Sequence, residues 1–187
     1  MVVSIHQPNF FPWYPYFKKI QQSDVFVILQ NCQFEKNSYT NRFLYNKIWN
    51  TMSVSRSLDP VIKKKYINYK YDWNKIKKRM AHNKLSLDEY DKYIDFNLAK
   101  TNIGVIRHIC NKLKIKTKIV SDYNTTLKGT ERIVDICRKF NADIYLTNSK
   151  LKPCYLNHCK FEDIKLKTIK CEERLRIPIL EYLKYYV

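Results

Sequence analysis

The residues of this chain whose types could do chemistry together lie in two short stretches. The first is Val2-Val3-Ser4-Ile5-His6-Gln7-Pro8-Asn9-Phe10-Phe11-Pro12-Trp13, and the second is Cys32-Gln33-Phe34-Glu35-Lys36-Asn37-Ser38-Tyr39-Thr40-Asn41-Arg42. His6 carries an imidazole whose ordinary pKa near 6.5 suits proton transfer at neutral pH. Gln7, Asn9 and Asn41 are neutral amide donors able to hold a carbonyl or a hydroxyl. Lys36 and Arg42 suit phosphate, Arg as a bidentate fork. The alternative for His6 is a satisfied histidine that closes a strand end. For Asn41 and Arg42 it is a loop that caps the sheet and pairs with Asp24 or Asp143.

The elements that must position these residues follow from patterning. Val2 to Ile5 is a short β-branched run and reads as a buried strand. Pro8 biases Gln7, and Pro12 biases Phe11, towards extended backbone, so this strand ends in a rigid turn. His6 and Gln7 then sit where strand gives way to loop, the edge where ligands bind in open α/β sheets. Tyr14 to Ser23 offers a short helix, and Asp24 to Leu29 a second strand suited to burial on both faces. Trp49 to Ser57 and Lys65 to Tyr71, either side of Asp59-Pro60, read as a β-hairpin or a pair of edge strands. A helix begins at Asp72-Trp73. A second opens at Ser86, with Glu89 completing a capping box. A third carries Ile103, Ile106, Ile109, Cys110 and Leu113.

Thr117 to Ser121 reads as a strand. Lys128-Gly129-Thr130 leads into a helix with the stripe Ile133, Ile136, Cys137 and Phe140, and Ala142 to Thr147 supplies the next strand. Strand, helix and strand in that order make a βαβ unit. The N–H groups of Gly129 and Thr130 at the helix start suit a phosphate. Residues 148–174 give no clear pattern, and Ile177 to Tyr186 reads as a closing helix. The expectation is one α/β domain over 1–187: a mostly parallel sheet flanked by helices, with a β-hairpin excursion.

Several of these segments resemble, in order, the blocks of the WbqC-like family: Ile5-His6-Gln7-Pro8-Asn9, Pro12-Trp13, Ser23-Asp24-Val25-Phe26-Val27, Gln33-Phe34, Lys36-Asn37-Ser38 and Asn41-Arg42. Lys128-Gly129-Thr130-Glu131-Arg132 and Ala142-Asp143-Ile144-Tyr145-Leu146 resemble its second block. Such proteins are associated with bacterial and viral surface-polysaccharide gene sets. The resemblance implies transfer of an acetyl or other small acyl group from acyl-CoA to the amine of a nucleotide-linked amino sugar. It implies His6 as general base and Gln7, Asn9, Trp13, Gln33, Asn37, Ser38 and Asn41 as substrate-binding. Lys36, Arg42, Lys128, Gly129, Thr130 and Arg132 are then the phosphate- or cofactor-binding set, with acetyl-CoA as co-substrate. The chain departs from the pattern at Asn148, where glycine commonly follows the Tyr-Leu block.

Composition bounds the alternatives. With 187 residues, 45% of them hydrophobic and 14% aromatic, the chain is long enough and apolar enough for one packed core. No stretch reaches the ~18 uncharged apolar residues of a membrane span. No secretory signal is evident, and a cytoplasmic protein is expected. The net charge of +18 would suit nucleic acid or a phosphorylated ligand. It comes mostly from Lys, in a sequence rich in Asn, Ile and Tyr with only two Gly, a composition that AT-rich coding also produces. No RNA- or DNA-binding motif accompanies it. A basic nucleic-acid-binding module and a non-catalytic sugar-nucleotide binder remain the competing readings. Cys154, His158 and Cys159 offer at most three ligands without a paired spacing, so no metal is assigned.

Overall fold

The computed structural model describes residues 1–122, 125–147 and 156–187. Five strands form one sheet: β1 (Val2–His6), β2 (Val25–Ile28), β5 (Lys118–Ser121), β6 (Ile144–Thr147) and β7 (Lys165–Thr168). Their order is β5-β2-β1-β6-β7, and every described pairing is parallel. This is the α/β class expected, with β1 at the centre. From β1 the chain steps outward to β2 and then β5. It returns through α4 (Gly129–Lys139) to β6 on the other side of β1. The order therefore reverses between β1 and β6, which makes their carboxyl ends the topological switch point of the sheet.

Alternation along the strands divides the core between two faces. Val3 and Ile5, with Val25 and Val27, pack against Val134, Ile136 and Cys137 of α4. Phe26 and Ile28 face the other way. They join Tyr16, Phe17 and Ile20 of α1 (Tyr14–Gln21) and Val105, Ile106 and Ile109 of α3 (Leu98–Lys112). The same cluster takes in Trp73, Ile76 and Met80 of α2 (Tyr69–His82), and Ile179 and Leu180 of α5 (Ile179–Tyr186).

Three expectations need correction. The two-stranded antiparallel ladder is β3 (Arg42–Tyr45) with β4 (Ile48–Thr51), joined by Asn46-Lys47 with both φ values positive. Arg42 thus belongs to a strand rather than to the end of a loop. The pairing anticipated between 49–57 and 65–71 exists only as a single bridge, Val54 opposite Tyr66. Ser86 does not open an α-helix. Its hydroxyl turns to Asp88, a 3₁₀ turn follows over Asp88–Tyr93, and Glu89 bonds His108 and Lys112 instead of closing a capping box. Thirdly, Phe11 is not extended: its φ is 43°. The ring is locked among Phe10, Phe43, Trp73 and Tyr90, which holds a conformation that a bulky residue before proline otherwise avoids.

Two buried polar side chains join the layers. Asn102 of α3 is fully buried, and its Nδ2 donates both to Pro8 O at 2.8 Å and to Thr40 O at 2.7 Å. Its Oδ1 accepts from Tyr66 Oη at 3.1 Å. Lys19 of α1 is 2% exposed, and its Nζ donates to Ile5 O at 2.8 Å. Burial lowers its pKa to about 7.

Each has a measurable consequence. Asn102→Ala strands two buried carbonyls and a hydroxyl, so it should cost about 2–4 kcal/mol in urea unfolding. A loss under 0.5 kcal/mol would show that the bridge does not tie the loops. For Lys19, an unfolded lysine keeps its proton up to about pH 10.4, whereas the folded one releases it near 7. Between those values the unfolded state binds more protons, so stability rises with pH. The burial cost is fully present below pH 7. The wild-type protein should therefore gain about 1.6 kcal/mol from pH 7 to 8.5 relative to Lys19→Met. Parallel pH profiles for the two proteins would contradict this.

Candidate functional site

His6 ends β1 on the face covered by α1, two positions beyond Ser4, whose hydroxyl meets that of Ser23 at 2.6 Å. Its ring is only partly buried and packs edge-on against Tyr16, with centroids 5.0 Å apart. Nδ1 lies 3.0 Å from Gln7 O, which also accepts from Tyr16 Oη at 3.1 Å. A carbonyl can only accept, so Nδ1 carries the proton and Nε2 presents its lone pair. Burial, then the charge of Lys19, lowers the imidazole pKa to about 4, with the Gln7 carbonyl pulling slightly the other way. His6 is therefore neutral at pH 7. It is a weaker base than the free side chain, because a second positive charge in this corner is costly.

Gln7 is also partly exposed, and the Cys32 thiol approaches its Oε1 at 3.7 Å. Cys32 does not supply a thiolate: burial, then Asp122, pushes its pKa up to about 11. Asn9 is 7% exposed, and its Oδ1 has no partner. The indole Nε1 of Trp13 is likewise buried and unpartnered, and its ring meets Tyr39 edge-on at 6.2 Å. Phe10 N donates to Tyr39 O at 2.8 Å, which lays the loop after β1 along the loop before β3. The structure thus brings His6, Gln7, Asn9 and Trp13 into one turn, with Tyr39 beside them.

The remaining anticipated residues divide. Gln33, Lys36 and Asn37 are exposed, and Gln33 pairs with Pro60 through a backbone bridge. Asn37 takes a left-handed φ of 59° and its carbonyl accepts from Arg42. Ser38 bonds Glu35 O and the Thr40 hydroxyl. Asn41 is buried at 7% exposure and gives its amide to Met52 O at 2.8 Å, so it closes the hairpin. The Arg42 guanidinium lies 4.1 Å over the Trp49 ring, a cation–π contact, with Nε buried and unpartnered. Neither residue reaches Asp24 or Asp143. Asp24 accepts from Val2 N at 2.7 Å and Asp143 pairs with the N-terminus, both at the amino-terminal edge of the sheet.

Lys128, Gly129 and Thr130 stand at the start of α4. They share the carboxyl edge with His6 but lie on the opposite face. Gly129 takes φ 55°, and no heavy atom lies within 4 Å of where a Cβ would stand. Thr130 Oγ1 accepts from Asn157 N at 3.1 Å. Arg132 is already engaged. It forms a buried ion pair with Asp122 and donates to Asn31 O at 2.8 Å, while Asp122 accepts from Gln30 N at 2.8 Å. It thereby fixes the loop after β2, and only its Nε is unpartnered. Asn148 and Cys154 lie outside the described residues. His158 and Cys159 sit on the 3₁₀ turn His158–Phe161. Among the described residues no helix is long and apolar enough to cross a membrane.

Lys19 is the residue that sequence reasoning missed. It falls three positions after Tyr16 and four before Ser23, inside the buried stripe of α1, and that spacing was the available signal.

Comparison with known proteins adds the family. The chain is 25% identical to the uncharacterized protein Rv1507c of Mycobacterium tuberculosis, in an alignment covering 88% of this chain and 79% of that protein. No solved structure matches significantly. The WbqC-like family model matches residues 7–175, taking in the loop after β1, the hairpin, α4 and β6, and the chain belongs to the WbqC-like protein family.

Proposed function

We propose that this protein is an acyltransferase of surface-polysaccharide biosynthesis. It moves an acetyl or other small acyl group from acyl-CoA to the amine of a nucleotide-linked amino sugar. The observation that carries the reading is His6: a neutral imidazole with an available Nε2 at the carboxyl end of the central strand, beside the topological switch point. In the reaction the amine nitrogen bonds to the thioester carbon and the carbon–sulfur bond breaks. The amine proton passes to His6 Nε2 and then to the departing thiolate, leaving amide and free CoA. The diphosphate of either substrate raises the proton affinity of His6 as it enters, offsetting the positive surroundings.

The other roles follow from what each side chain has left to give. Asn9 and Trp13, in the same turn as His6, are the contacts for sugar hydroxyls or an acyl carbonyl; their orphaned Oδ1 and Nε1 are buried, so engaging them requires the turn to open. Gln7 lines the same turn. Lys36, Lys128 and the first N–H groups of α4 serve the phosphates. Asn41 and Arg132 act instead from behind, by holding the hairpin and the loop after β2.

The deciding experiment is a mass-spectrometric screen of amino-sugar nucleotides against short acyl-CoAs. One pair should yield the N-acyl product, and His6→Ala should lower kcat roughly 10²–10⁴-fold while circular dichroism stays native. No transfer across the panel by folded protein would sink the proposal. A folded His6→Ala variant with unchanged kcat would remove His6 as the base.

A further inference from the structure

Lys19 is a buried ammonium with no acid beside it. Its described hydrogen bond runs to Ile5 O, the strand residue immediately before His6. Desolvation is what acts on its proton, and no carboxylate contributes. The titratable groups that meet this corner are His6 on β1, Tyr16 on the same helix and Cys110 on α3. Burial raises the Tyr16 and Cys110 pKa values, Cys110 to about 12, so neither brings negative charge at pH 7. The β2 residues on this face, Phe26 and Ile28, are apolar.

A hydrophobic side chain would fill such a place at lower cost, because an unpaired buried charge is among the more destabilising features a fold can carry. The bond to Ile5 O sets the ammonium against the strand end that carries His6, on the face where the imidazole meets Tyr16 of the same helix. We propose that Lys19 is a positioning residue for His6: its buried ammonium, bonded to the carbonyl that precedes His6, disfavours a second positive charge on the imidazole. The imidazole then stays neutral, with Nε2 as acceptor, through the weakly acidic range in which a free histidine would take up a proton. This rests on the reading of His6 as the proton acceptor of the proposed transfer.

Burial lowers the imidazole pKa most, and the Lys19 charge lowers it further. Lys19, with a pKa of about 7, is in turn poised to lose its proton just above neutrality. The pair therefore passes from one positive charge to none within the range where an amine nucleophile must also be deprotonated. An anion arriving beside His6 meets the Lys19 charge at once, which favours the protonated lysine and tightens the anion below pH 7.

The test needs no substrate, so its failure is separable from failure of the acyl-transfer reading, which stands or falls on product formation. The His6 ring and the Lys19 side-chain resonances are followed by heteronuclear NMR between pH 3.5 and 9 (pH limits on the order of the two values above). The comparison is between wild type, Lys19→Met and Lys19→Arg, and the Lys19 signals are assigned by their loss in Lys19→Arg. In the wild type, Lys19 should titrate near neutrality and His6 near the acid end. Lys19→Met should raise the His6 midpoint by about one pH unit, and Lys19→Arg should leave it at the wild-type value. A His6 midpoint unmoved in Lys19→Met, or a wild-type Lys19 that titrates like an ordinary lysine, overturns the proposal. Should Lys19→Met not fold, the wild-type lysine titration decides alone.

Discussion

The loop after β1 and the loop before β3 hang from one carboxamide. Asn102 hangs from α3, and its two amide hydrogens go to Pro8 O and Thr40 O, carbonyls more than thirty residues apart in sequence (about one βαβ unit). Without it, each loop would have to bury a carbonyl with no donor, at about 1–3 kcal/mol each. With it, the loop after β1 and the loop before β3 form one body, and the Phe10–Tyr39 backbone bond continues the seam. Tyr66 Oη fills the remaining acceptor position and ties the segment after β4 to the same point. The aromatic cluster of Phe10, Phe11, Phe43, Trp73 and Tyr90 then packs around a polar centre in which both Asn102 amide hydrogens and the Tyr66 hydroxyl hydrogen are used.

Charge is organised differently on the two faces of the sheet. On the α4 face, Arg132 and Asp122 neutralise each other in a buried pair that anchors the loop after β2. That geometry uses most of the guanidinium for structure. On the α1 face, Lys19 is bonded to the carbonyl before His6 with no acid beside it, and burial together with that charge keeps the imidazole from taking up a proton. The overall charge of +18 says little about either arrangement. The charge that is buried without an acid is Lys19, and one Lys among 35 basic residues does not announce itself.

Much of this was legible in the sequence, for physical reasons that differ by element. Val2 to Ile5, Asp24 to Leu29 and Ala142 to Thr147 read as strands from short β-branched and apolar runs, the second nearly unbroken as burial on both faces of a parallel sheet demands, and each holds a strand of the sheet. The hairpin was misplaced because its turn, Asn46-Lys47, takes positive φ twice without a glycine, and Arg42-Phe43-Leu44-Tyr45 begins with a charge. Helix ends suffer the same concealment. α2, α3 and α4 each stop with a left-handed residue, Lys84, Lys114 and Asn141. The bonds Leu85 N to Met80 O, Ile115 N to Cys110 O and Ala142 N to Cys137 O close them in the manner usually given to glycine. A chain with two glycines must place other residues there, and the usual stop signal vanishes. At the site, His6 was readable from its place after a strand. The inward turn of Asn41 and the engagement of Arg132 were not, since both depend on partners distant in sequence.

The turn after β1 violates local rules more than any other part of the described chain. Phe11 holds a left-handed φ immediately before Pro12, a conformation costing about 1–3 kcal/mol that the surrounding rings enforce. Asn9 Oδ1 and Trp13 Nε1, on either side of it, are buried without partners. A turn selected for stability alone would relax Phe11 and let those two groups find bonds or water. Here the aromatic packing on one side and Asn102 on the other prevent that relaxation. The unsatisfied donor and acceptor remain fixed within a few residues of a neutral histidine and an unpaired lysine. Backbone strain and unsatisfied polar groups are thus concentrated in one turn at the carboxyl edge of the sheet. The stability given up at this edge is recovered in the double-sided core beneath it, which is why the strain can persist without the fold yielding.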